Sequence, residues 1–423
     1  MSVGIEQVKS EFPAIYGRDN VYLDSAATTQ TPRSVLQSMY HFAELGIGNV
    51  HRSGHAWARN ASRWYEDARE KVREFINAEH AEEVIFTPGA TAGINMMAHS
   101  WCRRLECNGV GGAVLVSDAE HHSNLAPWHT LVSRLSDDED ARSYLPSEMR
   151  RVHIQRDGSL TRSAINASLQ LPRLRYHRPI LAITAMSNVT GIVNPIAELV
   201  DVAQEAGAWT LVDAAQVVSR QKIDVRSWGA DAIVFSGHKM YGPTGIGVVY
   251  VRTEMMDEIA APFVGGGAIE ECSVGYHIRS DVPMEFEPGT PPIVQAVGLS
   301  VAIDFLNELG MDSVEQHTRE LSMYLYESLA SLPAVKILGE APELRLGIVS
   351  FTVDGIDNVD VGDFLDKEFV AVRVGHHCAQ PIHRFFGVDG SVRASLGVYN
   401  TKYDVNALIM ALKKCIARGG VHE

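Results

Sequence analysis

Short apolar runs alternate with amphipathic stretches along much of the chain, and this alternation predicts the fold class. The runs are rich in β-branched residues and are bounded by polar residues or glycines, which is typical of buried strands. They lie at 83–86, 113–117, 180–184, 209–212 and 232–235. Apolar residues at helical spacing precede and separate them, most clearly at 61–77 and 195–206. We therefore expect an α/β fold with a large, doubly wound and mainly parallel sheet.

The last part of the chain predicts a second, smaller α/β domain. A long helical pattern at 293–309 leads into it, and Thr401 with Asp404 has the form of a capping box at the start of the final helix. Between them, strands are predicted at 335–338, 347–353 and 370–374, and helices at 318–332 and 360–368. We assign 20–290 to the large domain, and 1–19 together with 291–423 to the small domain.

Two segments lack a clear periodicity. Residues 134–150 are polar and rich in charge, which predicts an exposed loop or a solvated helix-turn. Residues 265–291 lie between glycine-rich and proline-rich stretches and are expected to form a surface loop or a hairpin. Neither segment suggests a function by itself.

Composition narrows the classes of function. The chain has 423 residues, a formal net charge of −15 and a hydrophobic share of 46%. An acidic surface disfavours nucleic acid as a partner, and no apolar run of membrane-spanning or signal length occurs, so we expect a cytoplasmic protein that binds no membrane. The five cysteines are scattered without a CxxC pair. Neither a disulfide framework nor a metal site is expected.

The ends of two neighbouring predicted strands carry the most telling residues. Asp213 ends the run 209–212, and Lys239 follows the run 232–235. Ligands bind at the carboxyl ends of parallel strands in such sheets. A lysine and a carboxylate placed there suit pyridoxal 5′-phosphate (PLP), whose aldehyde takes a lysine and whose ring nitrogen takes an acidic partner. Alone, either residue is more simply explained as a capping aspartate or an exposed lysine.

Other predicted strand ends add polar groups to the same edge. The turn Gly89-Ala90-Thr91 opens a helix and offers free backbone N–H groups to a phosphate, although most such turns only cap a helix. His121 and His122 follow the strand 113–117, where a ligand, a surface residue and a stacked imidazole all remain open. Asn188 lies beyond the strand 180–184. Their number favours a cofactor site over separate caps.

Several motifs in this order resemble the fold-type I PLP-dependent transferases. They are YLDSAAT (22–28), NVHR (49–52), EHH (120–122), VFSGHKMYGPTGIG (234–247), RVGHHCAQP (373–381) and RASLGVYNT (393–401). Within that class the chain is similar to the class V aminotransferase family, and in particular to its group II cysteine desulfurases, the SufS/CsdA-like and selenocysteine lyase-like branch. The resemblance covers nearly the whole chain.

The resemblance implies a role for each site residue. Lys239 would bind PLP as a Schiff base and move protons, Asp213 would pair with the ring nitrogen, and His121 would stack on the ring and take part in proton transfer. Asn188 and Gln216 would lie near the ring's phenolic oxygen. The phosphate would be held by Ala90, Thr91, Ser236, His238 and, from the other subunit, Thr290. A site completed by a second subunit implies a homodimer.

The substrate side of the site is also implied by the resemblance. Arg393 would clamp the substrate carboxylate, and Asn188, Arg373 and His55 would contribute to substrate binding, with Arg52 in the same approaching stretch as His55. Cys378 follows a predicted strand on a loop with a glycine and imidazoles, a setting that favours a thiolate. It would accept the sulfur of L-cysteine as a persulfide.

The expected function is thus that of a cysteine desulfurase, which releases L-alanine and passes sulfur to a SufE-like acceptor protein, with iron–sulfur cluster assembly as the expected pathway. A selenocysteine lyase, which would act on L-selenocysteine, or another PLP-dependent C–S lyase remains an alternative. A transaminase or an epimerase would have no use for Cys378. A scaffold without activity would have no use for Lys239, Asp213 and Arg393.

Overall fold

The computed structural model describes residues 4–51, 54–108, 111–137, 147–170 and 179–419. The helices are α1 Ile5–Ser10, α2 Arg33–Glu44, α3 Ala56–Ile76, α4 Ala90–Asn108, α5 Ala126–Asp137, α6 Arg162–Ser168, α7 Ile196–Glu205, α8 Val225–Trp228, α9 Thr253–Met256, α10 Ile293–Leu309, α11 Met311–Ala330, α12 Asn358–Lys367, α13 Gln380–Phe385 and α14 Lys402–Ala417. The strands are β1 Val21–Tyr22, β2 Val84–Thr87, β3 Ala113–Ser117, β4 Glu148–Val152, β5 Ile180–Thr184, β6 Trp209–Asp213, β7 Ala232–Ser236, β8 Gly247–Val251, β9 Ile269–Cys272, β10 His277–Arg279, β11 Val335–Ile337, β12 Ile348–Val353, β13 Val370–Ala371, β14 Arg373–Gly375 and β15 Ser391–Ser395.

A seven-stranded sheet with the order β2-β8-β7-β6-β5-β3-β4 forms the centre of the molecule. Strands β3, β4, β5, β6 and β7 run parallel to one another, and β8 is antiparallel to its two neighbours, β2 and β7. Successive residues of a strand face different cores: Ile233 packs into the core with α3, α7 and α10, and Val234 into the core with α4 and α5. Burial on both faces explains why these strands are apolar without alternation, and the predicted mainly parallel, doubly wound sheet is confirmed.

The prediction for 134–150 is wrong at the C-terminal end of the segment. Residues 134–137 continue helix α5, and 148–150 belong to β4, which pairs in parallel with β3 at the edge of the sheet. An edge strand has one free side, so its charged residues can reach solvent and hide the strand pattern. The intervening residues 138–146 lie outside the described residues.

The C-terminal part forms a four-stranded antiparallel sheet with the order β11-β12-β15-β14, covered by α11, α12 and α14. The predicted strand 370–374 is two strands, since β13 pairs with β1 and β14 pairs with β15. The capping box of Thr401 and Asp404 at the start of α14 is confirmed.

The predicted domain boundaries stay a prediction, because several elements join the two sheets. Helix α10 packs on α2 and α3 of the large part. Near the N-terminus, the ring of Phe12 lies 5.9 Å from that of Tyr241 and 4.8 Å from that of Tyr399. The segment 265–291 contains the hairpin of β9 and β10, so its prediction as a hairpin is confirmed.

Among the described residues, no single helix is long and apolar enough to cross a membrane. Helices α10 and α11 meet that test of length and composition only when taken together, and they are bent by 75° where they meet.

Candidate active site

The carboxyl ends of β3, β5, β6 and β7 meet the loops of the small sheet around a cavity of about 230 Å³. It brings together every predicted site residue except Thr290 and His55. Those that line it are Ala90, Thr91, His121, Asn188, Asp213, Gln216, Ser236, His238, Lys239, Arg373, Cys378 and Arg393. The sheet edge that the strand pattern indicated therefore holds the candidate site.

Lys239 lies in a short turn directly after β7, at the cavity wall. Burial lowers the pKa of its amine, and the nearby Asp213 carboxylate opposes that shift. A lowered pKa makes the neutral amine more available, and only a neutral amine can attack an aldehyde or accept a proton. Lys239 thus has the electrostatic setting of a nucleophilic or proton-transferring lysine.

Asp213 ends β6 beside Lys239. Its Oδ1 accepts a hydrogen bond from the backbone N–H of Ala215 at 2.9 Å, while Oδ2 accepts none from the described residues. Burial raises the pKa of this carboxyl, and the Lys239 amine counteracts that rise. A carboxylate that lines the cavity beside Lys239 fits the protonated ring nitrogen of PLP.

The N-terminus of α4 lies at the wall of the same cavity and can bind an anion. Gly89 has φ +156, and α4 begins at Ala90 directly after it. Strand β8 passes so close behind this turn that a Cβ on Gly247 would lie 2.6 Å from the Cα of Gly89. Ala90 donates its backbone N–H to Ser236 Oγ at 2.9 Å, and the Thr91 hydroxyl is also in the cavity wall. The helix dipole and the hydroxyls of Thr91 and Ser236 suit a phosphate group, whereas the N–H of Ala90 is engaged by Ser236, so its predicted contact with the phosphate stays a prediction.

His121 is held by its own turn. Its Nδ1 accepts a hydrogen bond from the backbone N–H of Ser123 at 3.1 Å, which leaves the proton of the neutral ring on Nε2. Burial, with the nearby Lys239 amine, lowers the pKa of His121 to about 3. The ring is therefore neutral near pH 7 and can lie beside a cationic cofactor ring without repulsion.

Glu120 is a buried acid that the sequence did not reveal as special. Its carboxyl accepts hydrogen bonds from Asn124 Nδ2 at 2.7 Å and from the backbone N–H of Thr184 at 3.0 Å. Burial raises its pKa to about 8. Glu120 ties the turn that carries His121 to the end of β5. Glu120 belongs to the motif EHH that carries the family resemblance, but a charged residue beside two histidines gives no local sign of burial.

Asn188 and Gln216 line the cavity, but one N–H of each is engaged within the protein. Asn188 Nδ2 donates to the carbonyl of His377 at 2.7 Å, and Gln216 Nε2 donates to the carbonyl of Ala26 at 2.8 Å. The two amides thus link the large sheet to the Cys378 loop and to the N-terminal segment. Their predicted contacts with the cofactor's ring oxygen stay predictions.

Arg393 points from β15 towards the same cavity. Nη1 donates to the carbonyl of Asn188 at 3.0 Å and Nη2 to Asp24 Oδ1 at 3.1 Å, while the buried Nε has no hydrogen-bond partner among the described residues. Burial lowers the pKa of Arg393 to about 10, so it remains charged at neutral pH. Arg373, exposed at the rim, lies 3.7 Å from the same Asp24. Two guanidinium groups at one side of the cavity suit a carboxylate.

Cys378 lies in the loop after β14 and its thiol is exposed at the cavity. The preceding His377 was not predicted as a site residue, although it lines the cavity as well. Both residues have left-handed backbones, with φ +49 for His377 and +54 for Cys378. Residues other than glycine rarely adopt this backbone conformation.

A chain of hydrogen bonds fixes the ring of His377. The carbonyl of Ala379 can only accept, so His383 Nδ1 donates to it at 2.9 Å and His383 Nε2 accepts from the Ser391 hydroxyl at 2.9 Å. Ser391 Oγ then accepts from His377 Nε2 at 3.0 Å. Burial, followed by nearby Arg393, lowers the pKa of His377 to about 2, so this ring is neutral.

Two predicted site residues lie elsewhere in this chain. His55 is exposed and caps α3, because its Nδ1 accepts from the backbone N–H of Ala58 at 3.2 Å; its predicted place at the substrate is therefore not reached within one chain. Thr290 lines a second cavity of about 800 Å³ with His51, and its contact with the phosphate of another subunit stays a prediction. Arg52 lies outside the described residues.

The chain is similar to known proteins over almost its full length. A family model described as aminotransferase class-V matches residues 21–408. A probable cysteine desulfurase of Halalkalibacterium halodurans is 38% identical over 412 residues, which cover 96% of this chain and 97% of that protein. A cysteine desulfurase of Cronobacter sakazakii is 37% identical over 420 residues, covering 97% of this chain and 98% of that protein.

A solved structure shows the same fold. The crystal structure of the cysteine desulfurase CsdA from Escherichia coli superposes with a TM-score of 0.85 at 33% identity, covering 98% of this chain and 99% of that chain. These matches confirm the predicted fold-type I architecture and the predicted resemblance. The predicted cofactor is confirmed with them, since enzymes of this kind depend on PLP. The chain belongs to the class V aminotransferase family of PLP-dependent enzymes.

Proposed function

We propose that this protein is a cysteine desulfurase, a sulfurtransferase that converts L-cysteine to L-alanine and holds the sulfur as a persulfide on Cys378. The observation that carries the proposal is the meeting of Lys239, Arg393 and Cys378 at one cavity. A lysine and an arginine alone would serve many PLP enzymes. The exposed thiol adds a nucleophile that only sulfur chemistry needs. The cysteine desulfurase names of the full-length relatives support the same conclusion.

The fit of the site to PLP rests on the N-terminus of α4, the carboxylate of Asp213 at the cavity wall and the amine of Lys239. When bound there, PLP would draw electrons away from the α-carbon of the substrate. Arg393 would bind the substrate carboxylate with its Nε–H, which has no partner among the described residues, and so orient the substrate. Lys239 would take the proton from the α-carbon, and neutral His121 would face the cofactor ring.

The sulfur step belongs to Cys378. Its thiolate attacks the sulfur atom of the bound cysteine, so that an S–S bond forms as the bond between the substrate's Cβ and sulfur breaks. The electron pair of the broken bond stays on the substrate carbon and, with protons added, becomes the methyl group of alanine. The sulfur remains on Cys378 as a persulfide, and a thiol acceptor would have to remove it before the next turnover.

The wider context of the reaction follows from the proposal. Because Cys378 is exposed, an acceptor protein of the SufE kind can approach its persulfide. Iron–sulfur cluster assembly as the destination of the sulfur, a homodimer completed by Thr290, and a cytoplasmic location belong to the same proposal. L-selenocysteine stays open as a second substrate.

The test compares Cys378→Ala with Cys272→Ala, a second exposed cysteine on the β9–β10 hairpin. The wild type and Cys272→Ala should form alanine and sulfide from L-cysteine in equal amounts when a thiol reductant is present. Cys378→Ala should keep the visible absorbance of bound PLP and lose both products. Undiminished products in Cys378→Ala would favour a lyase that eliminates sulfur or selenium directly, and transfer of the amino group to an oxo acid would favour a transaminase.

A further inference from the structure

The turn that carries Cys378 is strained, so contacts with neighbouring residues must stabilise it. His377 and Cys378 are consecutive residues with φ +49 and +54, and neither is a glycine. Such residues persist only where the surroundings enforce their conformation, and they cluster at functional sites. The contacts around this turn therefore show what keeps the thiol in place.

Residues that follow the strands of the seven-stranded sheet form hydrogen bonds to this turn. The backbone N–H of His122 donates to the carbonyl of Cys378 at 2.6 Å, and Asn188 Nδ2 donates to the carbonyl of His377 at 2.7 Å. The backbone N–H of Gln380, two residues after Cys378, donates to His122 Nε2 at 3.3 Å. His122 thus contacts the chain on both sides of the Cys378 side chain, once through its backbone and once through its ring.

The partner of the ring fixes its chemical form. A backbone N–H can only donate, so His122 Nε2 must be an unprotonated acceptor, and the proton of the neutral ring lies on Nδ1. Burial lowers the pKa of His122, which favours this neutral form. A side chain without an acceptor at this position would leave the N–H of Gln380 without its partner.

We propose that His122 is a positioning residue for Cys378, whose ring acceptor and backbone N–H hold the strained turn against the large domain so that the thiol stays at the substrate's sulfur atom. The inference rests on the proposed desulfurase function. It also gives the adjacent histidines separate tasks, because His121 lines the cavity while His122 reaches past it to the Cys378 loop. His121 then lies against the cofactor ring, and the adjacent His122 positions the sulfur nucleophile.

The decisive variants change the ring and keep the backbone. His122→Phe retains the backbone N–H and the ring shape but removes the acceptor, whereas His122→Gln places an amide oxygen near the position of Nε2. His129→Phe, an exposed histidine on α5, is the matched control. Each holoenzyme is mixed with L-cysteine. Persulfide formation is followed by mass spectrometry of the quenched protein, and substrate binding is followed by the visible absorbance of PLP.

His122→Phe should slow persulfide formation about tenfold, as expected for the loss of one hydrogen bond to a backbone N–H. KM and PLP absorbance should change less than about twofold, and His122→Gln should recover the rate to within about threefold of the wild type. A His122→Phe variant as fast as wild type, or a His122→Gln variant as slow as His122→Phe, would overturn the proposal. So would a parallel loss of PLP binding in His122→Phe, which indicates support of the fold. A wild type that forms no persulfide would instead refute the desulfurase function.

Discussion

The two walls of the active site are built in different ways. We call the wall formed by the seven-stranded sheet the large-domain wall, and the wall formed by the four-stranded sheet and its loops the small-domain wall. On the large-domain wall, Asp213 and Ser236 end strands that are buried on both faces, and Lys239 follows within one short turn. On the small-domain wall, Arg393 lies inside a strand, but Cys378 lies in a left-handed turn with its thiol exposed. One wall consists of the ends of regular, buried strands, and the other presents a strained and accessible nucleophile.

The difference matches what the two halves of the reaction require. Cofactor chemistry needs groups whose pKa values are shifted by burial, as those of Lys239 and Asp213 are. Sulfur transfer needs a thiol that meets the substrate and afterwards an acceptor, which a buried cysteine could not do. Under the proposed function, the large-domain wall would bind the cofactor and move the substrate's α-proton, and the small-domain wall would hold the substrate carboxylate and receive the sulfur.

The largest expected effect is at Lys239. In Lys239→Ala the large-domain wall loses its amine, so alanine formation should fall by at least about 1,000-fold and the PLP absorbance should lose its lysine-bound band. Lys222→Ala, an exposed lysine of the same domain, should leave turnover and absorbance unchanged. Turnover above about a tenth of wild type in Lys239→Ala would break the assignment of proton transfer to this wall.

The titration of Glu120 tests whether burial of an ionisable group at the large-domain wall changes the free energy of unfolding. Its pKa is raised from 4.5 to about 8, so between these values the folded protein keeps a proton that the unfolded chain releases. The free energy of unfolding should therefore decrease as the pH rises from 5 to 8, with a contribution of roughly 3 to 5 kcal/mol from this group. Urea unfolding of the cofactor-free protein at several pH values measures this slope.

The control for Glu120 separates its titration from that of the rest of the chain. Glu120→Gln cannot titrate, so its pH slope should be flatter than that of wild type whatever its absolute stability. Glu82→Gln, at an exposed position, should reproduce the wild-type slope. An equal slope in wild type and Glu120→Gln would mean that the buried carboxyl is ionised in the folded protein.

The large-domain wall was the more predictable of the two. Strands buried on both faces have continuous apolar runs, so their ends could be located, and Asp213 and Lys239 follow those ends directly. The edge strand β4 was missed because its exposed side allows two consecutive charged residues, Arg150 and Arg151. Segments with one free side do not require the apolar residues on which strand prediction depends.

The small-domain wall was predictable only through motifs. Cys378 and Arg393 were identified by resemblance, and no periodicity distinguishes them. The hydrogen bond between Gln380 and His122, and that between Asn188 and the carbonyl of His377, join residues far apart in sequence. Such contacts arise only when the two sheets pack together, so local pattern carries no trace of them. His55 shows the converse, since a motif suggested a site residue that in this chain caps a helix.

The smallest of these effects, at Arg393, asks whether the small-domain wall binds substrate without touching the cofactor. Arg393→Lys keeps the positive charge near Asp24 but removes the free Nε–H and the planar fork, which a carboxylate binds with two parallel hydrogen bonds. Losing a hydrogen bond to a charged group costs about 1.5 to 3 kcal/mol, so KM for L-cysteine should rise about 10-fold to 100-fold. The affinity for PLP should stay the same, and Arg384→Lys, exposed on α13, should change neither quantity. If KM stayed the same while PLP binding weakened, Arg393 would belong with the cofactor groups, and the division of labour between the two walls would fail at its most buried member.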